Sequence, residues 1–145
     1  MIGQTTPDAR VQHLLEQLEL QYEVSDDATY SVVFAIDDER SQEVCINSQT
    51  EFLDKLEIRD VWSIAFVTDA PLHADIANAL LIQNSDLKMG AWELSRRSGD
   101  SDGVIASFRI AIAANTSSNA LRSAMHMAAR IADEVEQKFT SEDRF

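Results

Sequence analysis

Residues 79–96 read ALLIQNSDLKMGAWELSR. An Ala- and Leu-rich helical run enters the polar tripeptide Gln83-Asn84-Ser85, crosses Gly90 and re-emerges at Trp92 as an extended segment. A helix that only had to stop could do so at a Gly or a Pro. A helix handed to a strand through a polar joint instead confines the chain to folds in which helices and strands share one core. In such a joint Asn84 is placed to bond local backbone as the helix ends. Gly90 lets the chain pass close to a sheet or take a positive φ, and Trp92 plugs the seam between helix and sheet. The joint speaks for fold, not for catalysis.

The hydrophobic period changes along the chain in the same sense. Thr6-Pro7-Asp8 predicts a helix start with Thr6 as cap and Pro7 in the first turn, followed by the stripe Val11, Leu14, Leu15, Leu18 and Tyr22. After the break at Ser25-Asp26-Asp27-Ala28, large side chains alternate with period two. They are Tyr30, Val32, Phe34 and Ile36, then Val44 and Ile46, then Trp62, Ile64 and Phe66. Asp37–Ser41 is a hairpin-like loop between the first two. Between Asn47 and Asp60, Phe52, Leu53 and Leu56 suggest one helical turn or an irregular edge. A second helix is expected over Leu72–Ile82 and a strand from Ala91. A turn is expected at Ser98-Gly99-Asp100-Ser101-Asp102-Gly103 and a partner strand over Val104–Ala113. Asn115–Ser118 then caps a long helix with the stripe Leu121, Met125, Ala128, Ile131 or Ala132, Val135 and Phe139. The expected architecture is α+β, a single mostly antiparallel five-stranded sheet in the order α-β-β-β-α-β-β-α. Residues 1–145 form one domain with its core over about 8–139.

Side-chain size divides the sheet into two faces. Phe34, Ile46, Ile64, Trp92 and Phe108 share the parity of a bulky face that packs under the first and last helices. The opposite face carries Val33, Ala35, Cys45, Ser63, Ala65, Val67, Ser107, Ala111 and Ala113, with Arg109 among them. A solvent-facing sheet surface normally alternates to charged residues, and this one is small and weakly polar. Two readings fit: a surface partly covered by loops, or one that meets another chain. On the second reading, the partner or dimer face consists of Val33, Ala35, Ser63, Ala65, Ser107, Arg109 and Ala111.

Charge and chemistry narrow the function classes. A net charge of −13 on 145 residues argues against nucleic-acid phosphates as the target, because their recognition requires a basic face. No apolar run reaches the length of a membrane span, the opening MIGQTTPDAR lacks the order of a signal peptide, and a lone Cys45 fits a reducing cytoplasm. His13, His73 and His126 fall in three different helices without metal-ligand spacing, and Cys45 has neither a CxxC partner nor an adjacent base. Gly99–Gly103 lacks the closing Glu of a calcium loop. Paired acids such as Asp26-Asp27 and Asp37-Asp38 lie in solvated turns. No nucleophile elbow or phosphate-cradling glycine loop occurs. The expectation is no catalysis, no metal and no cofactor.

The helix ending Leu80-Leu81-Ile82-Gln83-Asn84 is followed by the strand Met89-Gly90-Ala91-Trp92-Glu93-Leu94, a hairpin and a capped last helix. In this the chain resembles the type III secretion chaperone-like fold shared by the CesT-type chaperones and the YbjN family of bacterial regulators. The resemblance spans about residues 8–139, with its detail in 72–139. It implies an acidic homodimer that holds an extended segment of a partner protein, in a chaperone or regulatory role, and the −13 charge by itself favours a partner with a basic segment. It implies neither nucleic-acid nor membrane binding. The alternative is a small-ligand protein or enzyme with a pocket between the second helix and the sheet, lined by His73, Asp75 or Arg109.

Overall fold

The computed structural model describes residues 6–99 and 101–141, so Met1–Thr5 of the opening segment and Asp100 of the predicted turn lie outside the described residues. Helix α1 (Ala9–Gln17) leads into β1 (Glu23–Val24), β2 (Thr29–Ala35), β3 (Ser41–Asn47), β4 (Glu51–Leu53) and β5 (Leu56–Val67). Helix α2 (Ala74–Asp86), β6 (Ala91–Arg96), β7 (Val104–Ala113) and α3 (Ser118–Ser141) follow. All strand pairs are antiparallel, in the order β1-β2-β3-β5-β7-β6, with β4 pairing the start of β5. The α+β class and antiparallel sheet are as the pattern predicts.

Among the described residues the sheet has seven strands, not five. One added strand is the two-residue β1. The other comes from 47–60, which forms neither a helical turn nor a loose edge. There, β4 and β5 make a hairpin closed by Asp54-Lys55, with Leu53 opposite Leu56. Asp54 takes φ 55, a left-handed conformation that Asp tolerates in tight turns. The apolar tip residues Phe52, Leu53 and Leu56 stay exposed, which is why their spacing carried no strand signal.

Helix α1 starts two residues later than the Thr-Pro signal suggests. Asp8 is the cap, accepting from the Arg10 N–H at 3.0 Å, and Pro7 lies outside the helix. It also ends early. The Leu20 N–H returns to the Leu15 carbonyl at 3.0 Å while Glu19 adopts φ 58, so Tyr22 leaves the stripe and packs against Tyr30 instead. Helix α2 is capped by the His73 side chain and runs on to Asp86. Ser117 caps α3 by accepting from the Ala120 N–H.

Helices α1 and α3 cover one face of the sheet. Val11 and Leu15, with Leu121, Met125, Ala128, Ala132 and Phe139, close over Tyr30, Val32, Val44, Ile46, Val61, Phe66, Phe108 and Ile110. Phe66 and Phe139 stack at 3.7 Å. Helix α2 packs beside β6 and buries only Leu80, leaving Leu81 and Ile82 in solvent.

The joint between α2 and β6 has the expected parts. The Asn84 amide clamps the Trp92 backbone in both directions, accepting from its N–H at 2.7 Å and donating to its carbonyl at 3.3 Å. Trp92 Nε1 donates to Gln83 Oε1 at 2.8 Å, and the ring meets Phe108 edge-on at 5.5 Å. Gly90 has φ +78, and a Cβ there would lie 2.6 Å from Phe108 Cζ. Both reasons for a glycine hold at this position.

A second network ties α1 to the sheet. Arg59, only 3% exposed, donates to Asp8 Oδ2 at 2.6 Å and to the carbonyls of Asn47 and Ser48. Arg10 bridges Asp8 and Glu57, and the Tyr30 hydroxyl donates to the Asp8 carbonyl. A buried guanidinium is tolerated because five donors in a fixed fork find a carboxylate and two carbonyls.

Candidate functional site

Among the described residues no helix covers the second face of the sheet. Cross-strand register assigns its residues: Ser31, Val33 and Ala35 on β2; Glu43, Cys45 and Asn47 on β3; Asp60, Trp62 and Ile64 on β5. From β7 come Ile105, Ser107, Arg109 and Ala111, and from β6 Ala91, Glu93 and Ser95. Of the residues predicted for this face, Val33, Ala35, Ser107, Arg109 and Ala111 lie on it. Val33 and Ala111 are open to solvent, whereas Ser107 is shielded by its neighbours.

Ser63 and Ala65 do not lie there. Ser63 is fully buried on the helix-covered side, in register with Phe108, and Ala65 belongs to the core. The reason is a β-bulge. Register shifts between Ile64 and Phe66, so one extra residue is consumed at Ala65. Trp62 and Ile64 therefore face outward, while Phe66, of the same parity in sequence, turns into the core. Ile64 is a predicted core residue that the structure places on the open face, 38% exposed.

At the bulge the Ile64 carbonyl receives a side-chain donor from Gln42. From its 95%-buried position Gln42 Nε2 donates to the Ile64 carbonyl at 2.7 Å and to Ser63 Oγ at 2.9 Å. Ser63 Oγ in turn donates to the Glu43 carbonyl. Polar residues on the core side of β3 and β5 thus serve the irregularity that exposes Trp62.

Trp62 stands half-exposed at the centre of the open face, opposite Cys45 on one side and Arg109 on the other. Its Nε1 donates to Asn47 Oδ1 at 2.9 Å, which holds the ring in place. Two hollows flank it. One, of about 610 Å³, lies toward the β1–β2 edge over Ser31 and Cys45 and is walled by Glu23, Asp26, Asp27 and Glu43. The other, of about 360 Å³, lies over Ile64 and Ser107 beside Asp27, Asp60 and Glu93. Asp27, in the turn after β1, lines both. Ser25 and the Thr29 N–H donate to its carboxylate, which lowers its pKa. Arg109 bridges Asp60 and Glu93 at 3.4 and 3.2 Å. Burial, then the carboxylates of Glu43 and Asp27, push the Cys45 thiol up to about 12, so it is a poor nucleophile.

The histidines take separate roles. His73 caps α2, His126 meets Phe34 edge-on at 4.9 Å, and His13 is exposed on α1. Among the described residues no three His, Cys, Asp or Glu side chains gather as a metal site. His73 and Asp75 point to solvent, and Arg109 lies on the open sheet face, so they line no common pocket between α2 and the sheet. A cleft of about 580 Å³ does lie between α2 and the end of α3, over Ile76, Leu80, Val135 and Phe139. Among the described residues no helix is long and apolar enough to cross a membrane.

No family model matches the sequence, and no curated protein matches it. Among solved structures the chain is similar to the crystal structure of YbjN from E. coli, with a TM-score of 0.57 and 8% identity over 92% of this chain and 90% of that one. The likeness is one of fold. The chain is a YbjN-like α+β module, as its α2–β6 joint led us to expect.

Proposed function

We propose that this protein is a non-enzymatic protein-binding module that works as a cytoplasmic homodimer and holds an extended segment of a partner against its open sheet face. The observation that carries this reading is the uncovered face itself. Trp62 and Ile64 present apolar surface there from β5, with Val33 on β2 and Val67 at the end of β5 exposed farther out among charged residues. Apolar side chains left uncovered on a sheet face support an interface. Ala35, Ser107 and Ala111 allow another backbone to approach closely. The YbjN of E. coli is described as a candidate transcription regulator. With −13 net charge, a regulatory role of this chain would act through protein contacts rather than through nucleic-acid phosphates. A chaperone role of the CesT type would use the same face on an unfolded segment.

Ala111→Glu tests the reading. It adds a carboxylate to the open face without touching the core. Light scattering at micromolar concentration should show a dimeric wild type. The variant should lose dimerisation or capture of an extended peptide, with an unchanged circular dichroism spectrum. A variant unchanged in both properties removes the open face from the function. A monomeric wild type refutes the dimer alone.

A further inference from the structure

We propose that the open face selects basic segments, with Trp62 as the platform for an arginine or lysine side chain of the partner. This rests on the reading that the face receives an extended segment, and it adds the chemistry of that segment. The two hollows beside Trp62 are lined by Glu23, Asp26, Asp27, Glu43, Asp60 and Glu93, against Arg109 as their single base. Arg109 is already shared between Asp60 and Glu93. The first hollow therefore holds four carboxylates and no cation, and its floor of Ser31 and Cys45 is small enough to admit a long side chain.

An acidic rim alone would attract any cation from solution. Trp62 is what makes the surface discriminate. Its indole is the aromatic that best attracts a cation over its face, and its hydrogen bond to Asn47 keeps the ring from swinging away. A guanidinium or ammonium entering the first hollow lies beside that ring and within reach of Glu43 and Asp27. Its aliphatic stem covers the apolar surface of Val24 and Cys45, which line the same hollow. A carboxylate-bearing segment meets the same wall with repulsion, so selection works in both directions.

The experiment compares two blocked pentapeptides, Arg-Ala-Arg-Ala-Arg and Gln-Ala-Gln-Ala-Gln, by calorimetry on the full chain. The arginine peptide should bind at least about tenfold more tightly, and the difference should shrink in 0.5 M salt. Trp62→Leu and Glu43→Gln should each reduce that binding severalfold, the second without any packing change, because Glu43 is exposed. Asp38→Asn, which removes an equal charge from the β2–β3 loop, should leave it unaltered. Equal binding of both peptides, abolished by Ala111→Glu, overturns the cationic selection and leaves the open face as a general segment receptor. Equal losses in Asp38→Asn and Glu43→Gln overturn it as well, because binding would then follow net charge and not the site. Binding of neither peptide overturns it too, and the Ala111→Glu measurement then decides the face separately.

Discussion

Gly90→Ala should be among the most damaging single-methyl additions to this protein. Two costs combine. A residue with a Cβ at φ +78 costs about 1–2 kcal/mol relative to glycine. The new methyl would also lie 2.6 Å from Phe108 Cζ, 2.8 Å from Ile110 Cγ1 and 2.9 Å from the Arg109 carbonyl oxygen. Phe108 and Ile110 are almost wholly buried and have nowhere to swing, so overpacking adds roughly 1–3 kcal/mol. A loss near 3 kcal/mol follows. With an unfolding entropy of about 2.1 cal/mol/K per residue, a chain of this length loses roughly 10 °C in Tm. Gly99→Ala is the internal control. Its φ of +91 carries the same conformational cost, yet nothing lies within 4 Å of its would-be Cβ. It should lose only about half as much. Calorimetric melting of both variants decides the matter, and equal losses would refute the close approach of Gly90 to β7.

Phe108→Ala should cost about 3–5 kcal/mol in denaturant unfolding, because Phe108 is fully buried under Trp92. Gln42→Leu should cost roughly 1 kcal/mol despite its added hydrophobicity, since it removes the donor to the Ile64 carbonyl and Ser63 Oγ. The loss is offset in part because Gln42 Oε1 itself has no partner among the described residues. A neutral or stabilising result would show that the carbonyl finds another partner. Acid should loosen α1. Burial disfavours the Asp8 carboxylate, but its bonds from Arg10 and Arg59 outweigh that and hold it well below the usual range. Glu57 is held down to about 2 by Arg10 and Thr50. Stability from these depressed groups is fully present above about pH 5 and is lost progressively as pH falls to 2 and below. Equilibrium unfolding between pH 5 and 2 should show that slope in wild type and a flatter one in Asp8→Asn. Cys45 should resist alkylation at pH 8 in the folded protein and react on unfolding, because its thiol is buried and pushed up to about 12.

Much of the fold was legible because its determinants are local. Strand β7 and the start of β6 fall where alternation places them, and the α3 stripe is buried as its spacing predicts. Gln83, Asn84, Gly90 and Trp92 form a joint whose chemistry is complete within ten residues. The soft points were also local in kind. The α1 start was expected at Thr6 and Pro7, and the bond from the Arg10 N–H makes Asp8 the cap instead.

The open face was legible only in part. Sequence parity sorts side chains correctly while a strand stays regular, and it placed Val33, Ala35, Ser107, Arg109 and Ala111 on one face. It fails at a bulge, which adds a residue without changing composition. Strand β5 reads Arg59, Val61, Ser63 in one parity and Asp60, Trp62, Ile64 in the other, so each face carries a charge and the apolar residues do not choose between them. The choice comes from partners distant in sequence. Asp8, 51 residues away, makes it tolerable to bury Arg59, and Gln42 donates to the Ile64 carbonyl at the bulge. Local pattern determined the elements of this protein and the clamp between α2 and β6. Only tertiary contact decided that Trp62 faces out between two acidic hollows, because the free energy of burying Arg59 depends on where the N-terminal helix comes to rest.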